Sequence, residues 1–434
     1  MIYDKTHECM AREDLEQLQV ERLQATLNRV YQNVSFYKNS FDKNKINIER
    51  IKSIKDLEVL PFTTKEDLRM SYPYDMFAVP LKDIVRIHST SGTTGKPIVV
   101  GYTNNDINIW TTLIARVLNA VEITEHDLVQ IAFNYNLSSA GLGFHYGAEK
   151  IGASVIPSSS ENINRQIMVM KDYKTTALIS TPGYALHIAK VLEEMNMHPE
   201  ELYLRIGLFG AESWSDNLRN EIEKGLHIKA YDNYGLTELI GPGISFECPC
   251  RSGLHINEDH FIVEVIDPET LKPLGFGEEG ELVFTTITKQ GFPLIRYRTR
   301  DISSLIEGKC ECGRTLVRMN RLSGRTDDMI IIDGINIFPS QIEEALLQVE
   351  GIEPHYQIIL DRKDGAETIE IQVEASDQYP FFDEISKLQA LRSKLRDHLE
   401  ATLGISTQVT MVEPKTIKRS EGKKLKRIID KRAK

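Results

Sequence analysis

A polar, glycine-rich stretch near residue 90 has the composition of a phosphate-binding loop. The stretch HSTSGTTGKP, residues 88–97, holds two serines, three threonines, two glycines and a lysine. Backbone N–H groups, hydroxyls and one cation suit phosphate oxygens. The Walker pattern does not fit, because Thr90 stands where its first glycine belongs and Pro97 follows Lys96. An ordinary surface loop has the same composition, so this stretch alone leaves both interpretations open.

Two closely spaced cysteine pairs are a second set of residues that could do chemistry. The chain has 5 cysteines, of which four stand in CPC at 248–250 and CEC at 310–312, while Cys9 stands alone. Together with His255, the pairs offer five soft ligands, and Zn²⁺ takes four in a tetrahedral arrangement. We therefore expect a structural zinc site that joins the two segments. Reduced, unliganded cysteines are the alternative.

The C-terminal stretch KTIKRSEGKKLKR, residues 415–427, is a third candidate. Its lysines suit phosphate, but a solvated or nucleic-acid-binding tail has the same composition. The whole chain carries a formal net charge of -11. An acidic chain is a poor candidate for a dedicated nucleic-acid binder, so we expect no nucleic-acid partner.

Composition and apolar patterning are those of an ordinary globular chain. The 434 residues are 41% hydrophobic and 26% charged, which is ample for a buried core and more than one domain. Residues 1–23 are charged throughout and lack the apolar stretch of a signal peptide. No apolar run is long enough to span a bilayer. We expect a cytoplasmic protein with no membrane partner.

Alternating apolar and helical segments predict an α/β fold around these groups. The predicted strands of the central region are 127–133, 153–157, 176–180 and 203–212. Helices predicted at 183–195 and 215–225 stand after the last two, and such alternation is typical of a largely parallel sheet. Strands are also predicted on both sides of the phosphate-loop candidate, and residues 15–39 are predicted to form one helix.

Two changes in the sequence pattern divide the rest of the chain. Residues 261–287 are β-rich and interrupted by proline and glycine, which predicts an antiparallel subdomain. From about 328, a strand, a helix, two strands, a helix and a strand follow, a unit of ordinary domain size. We predict a large N-terminal α/β domain over 1–326, with mainly parallel sheets and the β-rich subdomain. A small α+β C-terminal domain is predicted over 327–434.

Eight motifs along the chain resemble those of one enzyme superfamily, in its order. They are GTTGKPIVVGYTNND (92–106), GLGFHYGAEKIGASVIP (141–157), FGAESW (209–214), YGLTELIGPG (234–243), GLHINEDHF (253–261), YRTRD (297–301), GRTDDMIIIDGINIFPSQIE (324–343) and RSEGKKLKR (419–427). They cover nearly the full length. The chain resembles the phenylacetate–CoA ligase family of the adenylate-forming (acyl-CoA synthetase) superfamily.

The resemblance implies an ATP-dependent ligase that works in two half-reactions. A carboxylate attacks the α-phosphate of MgATP to give an acyl adenylate and pyrophosphate, and CoA thiolate then displaces AMP to give the acyl-CoA thioester. Cations must screen the repulsion between the acid and ATP. An adenylating enzyme that loads a carrier protein's pantetheine is one alternative. A non-catalytic nucleotide-binding protein is the alternative from another class.

The resemblance assigns nucleotide-binding residues motif by motif. The residues that would surround the β- and γ-phosphates are Ser89, Thr90, Ser91, Gly92, Thr93, Thr94, Gly95 and Lys96. The residues on the adenine and ribose side are Gly210, Ala211, Glu212, Asn233, Tyr234, Gly235, Asp301 and Arg325. Tyr234 would stack on adenine, and Asp301 would accept hydrogen bonds from the ribose hydroxyls. A surface ion pair is the alternative for Asp301 and Arg325.

The resemblance also implies catalytic residues and a hinge. Thr237 would offer its hydroxyl to the α-phosphate, and Glu238 would bind Mg²⁺, which prefers oxygen ligands. Lys423, with Lys424 as the adjacent alternative, would contact the α-phosphate and the carboxylate during adenylation. Asp327 is the implied hinge of a mobile C-terminal domain. That domain would bring Gly334 to the active site, where a missing side chain leaves room for the pantetheine arm of CoA.

The resemblance places the acid pocket in NYNLSSAGLGFHYG, residues 134–147. The candidate lining residues are Tyr135, Ser138 and Gly141. Phenylacetate-specific members carry an aromatic residue and more glycines here, so the chain departs from them at Asn134, Asn136 and Ser138. Loss of an aromatic wall removes apolar contact area, which favours a larger or more polar aryl acid. The alternative is that other walls still hold phenylacetate.

The resemblance also narrows the metal ligands and the partners. Part of the family uses one Cys and one His of the first segment with both Cys of the second. The ligands expected here are Cys248, His255, Cys310 and Cys312, with Cys250 as the alternate fourth ligand. The expected small-molecule partners are a carboxylic acid, ATP with Mg²⁺, and CoA, and a homodimer is one option for the assembly.

Overall fold

The structure of the protein is a computed structural model. It describes residues 1–90, 96–160, 162–326, 330–332, 335–349, 351–363, 366–375, 385–414, 416–417 and 427–432. A helix long and apolar enough to cross a membrane does not occur in these ranges.

Helices α1 to α11 surround the sheets. Their bounds are α1 Lys5–Glu8, α2 Arg12–Asn33, α3 Ser35–Lys43, α4 Lys65–Met70, α5 Asn104–Ala120, α6 Ala140–Lys150, α7 Ile163–Asp172, α8 Pro182–Glu194, α9 Asp216–Leu226, α10 Pro339–Leu347 and α11 Ile385–Leu403. The single helix predicted over 15–39 is wrong, because two helices meet at Val34. That residue is extended, with φ -117° and ψ 105°, and its apolar side chain is buried in the core.

Strands β1 to β21 form the sheets. Their bounds are β1 Arg86–Ser89, β2 Val99–Tyr102, β3 Leu128–Ile131, β4 Ser154–Ile156, β5 Ala177–Ser180, β6 Ile206–Gly210, β7 Lys229–Leu236, β8 Gly241–Phe246, β9 Leu254–Ile256, β10 Phe261–Ile266, β11 Gly280–Thr286, β12 Tyr297–Ser303, β13 Leu305–Ile306, β14 Arg318–Met319, β15 Gly324–Arg325, β16 Ile330–Ile332, β17 Ile335–Ile337, β18 Ile352–Lys363, β19 Ala366–Ala375, β20 Gln408–Val412 and β21 Ile428–Asp430.

The largest sheet is mixed, whereas mainly parallel sheets were predicted. Its strand order is β13-β14-β9-β8-β7-β6-β5-β3-β4. The strands from β4 to β7 pair in parallel, and those from β7 to β13 pair antiparallel. The change occurs at β7 because a tight turn leads directly into β8, and such a turn joins only antiparallel neighbours. The predicted α/β class and the four central strands are confirmed.

Two smaller sheets complete the N-terminal part. Strands β1 and β2 form an antiparallel hairpin, with Ser89 opposite Val99, which confirms the predicted strand–loop–strand element. Strands β10, β11, β12 and β15 form an antiparallel sheet, as predicted for the β-rich region. Helix α5 follows the hairpin and packs against α6 and β8. The hairpin, the turn after β7 and the start of α6 are therefore supported by one core.

The C-terminal part is a separate α+β domain with its own core. Its buried apolar side chains lie between Ile330 and Val409 and form one cluster. Its four-stranded sheet has the order β20-β19-β18-β21. The sequence predicted one strand at 329–338, but the structure has two short paired strands, β16 and β17. Strand β21, directly after the basic stretch 415–427, was not predicted. The boundary between residues 326 and 327 stays a prediction, since Asp327 lies outside the described residues.

Candidate active site

A tight turn between β7 and β8 carries Thr237 and Glu238. The strands are antiparallel, with Gly235 opposite Pro242. A Cβ atom on Gly235 would lie 2.1 Å from the carbonyl oxygen of Gly241, so only glycine allows the two backbones to approach this closely. The sequence GLTEL therefore fixes the points from which the hydroxyl and the carboxylate start.

Glu238 is a buried carboxylate with a cation beside it. Only 5% of the residue is exposed. The Tyr297 hydroxyl donates to Oε1 of Glu238 at 3.4 Å, and Nζ of Lys65 lies 3.8 Å from the same atom. Burial, together with the Glu238 charge, raises the pKa of Tyr297 well above its usual range, so this hydroxyl keeps its proton. A buried carboxylate that already attracts a cation fits a hard metal ion.

Residues 134–147, predicted to line the acid pocket, form the acid segment. This segment is hydrogen-bonded to two other predicted elements. Oγ of Ser139 lies 2.9 Å from Oγ1 of Thr237. The carbonyl oxygen of Leu137 accepts from the Ser89 N–H at 3.0 Å and lies 3.1 Å from Nδ1 of His88. The structure thus brings together the start of the phosphate loop, the acid segment and the Thr237 turn.

The described ends of the phosphate-loop candidate form the base of a hairpin. Thr90 and Ile98 exchange hydrogen bonds, since the Thr90 N–H donates to the Ile98 carbonyl at 3.0 Å and the Ile98 N–H donates to Oγ1 of Thr90 at 3.1 Å. Lys96 is exposed, and its Nζ lies 5.3 Å from the centre of the Tyr72 ring. The predicted loop residues outside the described ranges are Ser91, Gly92, Thr93, Thr94 and Gly95.

The candidates for the ribose side form a buried group. The Tyr234 hydroxyl donates to Oδ2 of Asp301 at 2.7 Å, and the Arg325 guanidinium donates to Oδ1. Asp301 is 2% exposed, so this is not a surface ion pair. The Tyr234 ring stacks on Phe284, with centroids 6.1 Å apart, and burial beside the Asp301 charge raises the pKa of Tyr234. A ribose hydroxyl would share Asp301 with these two donors.

The predicted adenine-side residues lie at the carboxyl ends of β6 and β7. A Cβ atom on Gly210 would lie 2.4 Å from the Asn233 carbonyl oxygen, which explains a glycine at the end of β6. Ala211 follows with a φ of 68°, and Glu212 is partly buried. The Asn233 side chain accepts from the Gly243 N–H at 3.1 Å. In open α/β sheets, ligands bind at such strand ends.

The backbone of the acid segment packs closely against α6. A Cβ atom on Gly141 would lie 2.9 Å from the Asn134 carbonyl oxygen. Oδ1 of Asn134 accepts from the hydroxyls of Ser159 and Ser160, at 2.9 and 2.7 Å. The departure from glycine at 134 therefore adds a hydrogen-bonded amide to this region.

Tyr135 belongs to a polar chain of side chains. Its hydroxyl lies 3.3 Å from Nδ1 of His145, whose Nε2 lies 3.1 Å from Oε1 of Glu149. Burial, with the Glu149 charge as a smaller cause, raises the pKa of Tyr135. Asn136 and Ser138 are exposed, and the Ser138 N–H donates to Oδ1 of Asn136 at 2.9 Å.

The two cysteine pairs meet around His255. One ligand atom from each of Cys248, His255, Cys310 and Cys312 lies within 4.8 Å of every other. The two measured separations are 3.7 Å between the sulfurs of Cys248 and Cys310, and 3.4 Å between Cys312 and Nε2 of His255. Tetrahedral zinc with ordinary bond lengths would set sulfur–sulfur edges of about 3.8 Å and sulfur–nitrogen edges of about 3.5 Å. The four residues therefore fit zinc.

Cys312 has the surroundings of a thiolate. Its hydrogen bond with Cys248, and those with His255 and Arg314, lower the pKa of the Cys312 thiol. The thiolate is the form that binds metal. Cys250, the alternate ligand, is exposed, and the cluster of four forms without it.

The candidates of the C-terminal domain cannot be placed in this site. Asp327, Gly334, Lys423 and Lys424 lie outside the described residues. Their roles stay predictions.

Several residues of the site were not singled out from the sequence, although Ser139, His145 and Tyr297 lie within segments that were. They are Lys65, Ser139, His145, Lys289 and Tyr297. Each reaches the site from an element distant along the chain or acts through a neighbour. Thr64 caps α4 directly before Lys65, but no sequence pattern links Lys65 to Glu238.

Comparisons with known proteins match both parts of the chain. The AMP-binding enzyme profile matches residues 7–288, and that of the AMP-binding enzyme C-terminal domain matches 334–432. The phenylacetate–coenzyme A ligase of Thermus thermophilus is 42% identical over 99% of both chains. That of Escherichia coli is 43% identical over 95% of this chain and 94% of its own. This chain belongs to the phenylacetate–CoA ligase family. The match to the AMP-binding enzyme profile agrees with the superfamily that the motifs implied.

Solved structures similar to this family member include 2-hydroxyisobutyryl-CoA ligase. In the postadenylation state with 2-HIB-AMP, that enzyme matches with a TM-score of 0.92 at 26% identity, over 100% of this chain and 93% of its own. In the thioesterification state with 2-HIB-AMP and CoA, the TM-score is 0.72 at 28% identity, over 98% and 92%. The described arrangement of the two domains therefore resembles the postadenylation state more closely.

Proposed function

We propose that the protein is an ATP-dependent acid–CoA ligase that activates phenylacetate or a related aryl acid. The observation that carries the proposal is the 2.9 Å contact between Ser139 of the acid segment and Thr237 of the YGLTE turn. This contact supports the proposal because it joins the segment expected to line the acid pocket to the turn expected to face the α-phosphate, in a chain 42% identical to a phenylacetate–CoA ligase.

In the first half-reaction, an oxygen of the carboxylate bonds to the α-phosphorus and pyrophosphate leaves. Ser89, Thr90 and Lys96, with the loop residues between them, hold the β- and γ-phosphates. Thr237 donates its hydroxyl to the α-phosphate. Glu238 would hold Mg²⁺, which would supply positive charge against the phosphate oxygens. The buried position of Glu238 beside Lys65 supports this role.

The nucleoside lies across the strand ends of β6 and β7. Asp301 accepts from the ribose hydroxyls, held in place by Tyr234 and Arg325. The adenine lies against Tyr234 and the backbone of the remaining adenine-side residues, Gly210, Ala211, Glu212, Asn233 and Gly235. Their position near the carboxyl ends of parallel strands in an α/β sheet supports this assignment.

In the second half-reaction, the CoA sulfur bonds to the acyl carbon and AMP leaves. Lys423 serves the adenylation step, and Gly334 admits the pantetheine arm after the C-terminal domain turns about Asp327. Two arrangements of 2-hydroxyisobutyryl-CoA ligase, which match this chain with TM-scores of 0.92 and 0.72, support such a rotation.

The acid is an arylacetic acid or a hydroxylated relative. Tyr135, Ser138 and Gly141 form part of the pocket wall. The polar chain from Tyr135 to His145 and Glu149 offers hydrogen bonds that a purely apolar ring does not use. A site with such groups favours a substrate that pairs with them.

The four-residue cluster holds a structural zinc ion. Zinc there would join the loop after β8 to the turn before β14 and would take no part in the chemistry, because such a closed site has no open position.

The test is direct product analysis. The protein is incubated with ATP, Mg²⁺, CoA and single acids, and acyl-CoA, AMP and pyrophosphate are measured. We expect all three in equal amounts with an arylacetic acid. Acyl adenylate that accumulates with CoA present, and is discharged only by a carrier protein's pantetheine, would contradict the ligase and favour the carrier-loading alternative.

A further inference from the structure

Lys289 is a buried lysine next to the Thr237–Glu238 turn. It lies in the loop between β11 and β12 and is 3% exposed. Its Nζ donates to the Leu239 carbonyl oxygen at 2.6 Å. The same atom lies 4.3 Å from the centre of the Tyr102 ring and 5.7 Å from that of Phe292. Lysine is rarely buried without a specific partner, so this position requires an explanation.

Lys289 and Tyr102 together hold the backbone of the turn. The Tyr102 hydroxyl donates to the Ile240 carbonyl oxygen at 3.0 Å and lies 3.5 Å from that of Thr237. Lys289 binds the carbonyl of Leu239, which lies between them. Buried carbonyl groups in a tight turn need donors, and these two side chains supply them. Because Tyr102 ends β2, the pair also joins the turn to the phosphate-loop hairpin.

Two buried carboxylates face the Lys289 ammonium. Glu238 lies on the turn, and Asp106, fully buried at 0% exposed, lies in the first turn of α5. Asp106 accepts from the N–H groups of Gln290 and Gly291, at 2.6 and 2.8 Å, which fixes the backbone after Lys289. Burial lowers the pKa of Lys289 to about 7, while the charges of Asp106 and Glu238 act in the opposite direction. Below about pH 7, Lys289 is therefore a buried cation beside the turn that carries Glu238.

We propose that Lys289 is a positioning residue that holds the Thr237–Glu238 turn and, when protonated, supplies a positive charge beside that turn. This inference rests on the proposed function, in which Glu238 binds Mg²⁺. A cation behind a metal-binding carboxylate weakens its hold on Mg²⁺, since like charges repel. The same charge favours the negative charge that gathers on the phosphates during adenylation, so it speeds chemistry at some cost in metal affinity.

Four variants separate the effect of the Lys289 charge from the effect of the hydrogen bonds that hold the turn. Lys289→Met removes the charge and the donor, whereas Lys289→Gln removes the charge and keeps a donor for Leu239. Tyr102→Phe removes the other support of the turn and changes no charge. Lys171→Met makes the same substitution at an exposed lysine paired with Glu201. Acid-dependent exchange of pyrophosphate into ATP is measured across Mg²⁺ concentrations, and thermal denaturation checks that each variant is folded. These exchange assays and the Mg²⁺ titrations below are made at about pH 6, where Lys289 is protonated.

Both uncharged Lys289 variants should exchange pyrophosphate more slowly than the wild type and bind Mg²⁺ more tightly. We expect maximal exchange to fall at least about tenfold and the Mg²⁺ concentration for half-saturation to fall about threefold. Tyr102→Phe should slow exchange and leave the half-saturating Mg²⁺ concentration unchanged, and Lys171→Met should change neither. An unchanged or raised Mg²⁺ requirement in both Lys289 variants would overturn the proposal, because a purely structural lysine predicts that result. Should Lys289→Met not fold, Lys289→Gln decides.

A second readout does not depend on turnover. Mg²⁺ is titrated by calorimetry into the wild type and Lys289→Gln, each with a non-hydrolysable ATP analogue. Tighter Mg²⁺ binding by the variant supports the proposal, and equal or weaker binding overturns it. If the wild type exchanges pyrophosphate with no acid, the proposed function fails, and this titration still decides the role of Lys289.

Discussion

The hydroxyls of Ser139 and Thr237 lie 2.9 Å apart, and this contact joins the acid segment to the turn proposed to face the α-phosphate. The same segment is bound to β1 through Leu137, whose carbonyl accepts from Ser89. The segments proposed to hold the acid and the phosphates thus belong to one hydrogen-bonded frame. Correct relative placement of two reactants supplies much of the acceleration available to a ligase.

Removal of the Ser139 hydroxyl should slow adenylation more than it weakens binding. In Ser139→Ala, the Thr237 hydroxyl loses its partner and samples other rotamers, so we expect the maximal rate of exchange to fall by about five- to tenfold. The KM for the acid should change less than twofold, as roughly expected of a positioning contact. Ser406→Ala, at an exposed serine, is the control. A raised KM with an unchanged rate would show that Ser139 acts in binding.

Loss of the Asp301 charge should weaken nucleotide binding. Asp301→Asn breaks the pair with Arg325 and leaves a poorer acceptor for ribose, so we expect the KM for ATP to rise by about 30-fold or more. Tyr234→Phe removes one hydrogen bond to the same carboxylate and should raise this KM by about tenfold. Steady-state kinetics at saturating acid and CoA measure both. An unchanged KM for ATP in Asp301→Asn would contradict the ribose role.

Zinc binding should depend on the cluster of Cys248, His255, Cys310 and Cys312 and should not depend on Cys250. We expect one zinc per chain by elemental analysis of the purified protein, and its loss in Cys310→Ser. The melting temperature of that variant should fall by several degrees, since a structural metal stabilises the folded state by roughly the free energy of its binding. Cys250→Ser, at the exposed neighbour, should keep its zinc. Loss of zinc in Cys250→Ser would instead make Cys250 a ligand.

The free energy of unfolding should depend on pH because the pKa of Lys289 differs between the folded and unfolded chain. Burial lowers its pKa to about 7 from an ordinary 10.5, so between these pH values the folded chain binds fewer protons than the unfolded chain. The free energy of unfolding then rises with pH, by at most about 1.4 kcal/mol per pH unit for one group. The charged and titratable groups facing Lys289 are Asp106, Glu238, His88 and Tyr102. Below pH 7 the buried ammonium is destabilising.

Lys289→Met removes this titration, which gives the measurement. The melting temperature of the wild type minus that of the variant should increase as the pH rises from 6 to 9. Lys171→Met should show no such trend. A constant difference between wild type and Lys289→Met would show that the folded state leaves the pKa of Lys289 unshifted.

The sequence was informative where function constrains short motifs. The hairpin around the phosphate loop, the central strands and the clustering of the cysteine pairs with His255 all follow from local patterns. Apolar runs between turn residues predict strands, and closely spaced soft ligands predict a shared site.

The rest depends on contacts between distant segments. Lys289 and Lys65 reach the YGLTE turn from elements on either side of it, about 50 and 170 residues away along the chain, and no pattern marks a lysine that folding will bury. Val34 ends α2 because its side chain is needed in the core, which overrides a continuous helical pattern. The mixed sheet arises from one tight turn, whose direction the strand sequences do not encode.

The central claim is adenylation of an aryl acid, and exchange of labelled pyrophosphate into ATP without CoA tests it most directly. The acids are phenylacetate, indoleacetate, benzoate, hydroxylated aryl acids and medium-chain fatty acids. The account predicts exchange that requires an arylacetic acid, is abolished by Lys423→Ala with ATP binding retained, and survives in Lys424→Ala. No exchange with any acid from folded, ATP-binding protein, or undiminished exchange in Lys423→Ala, would contradict it.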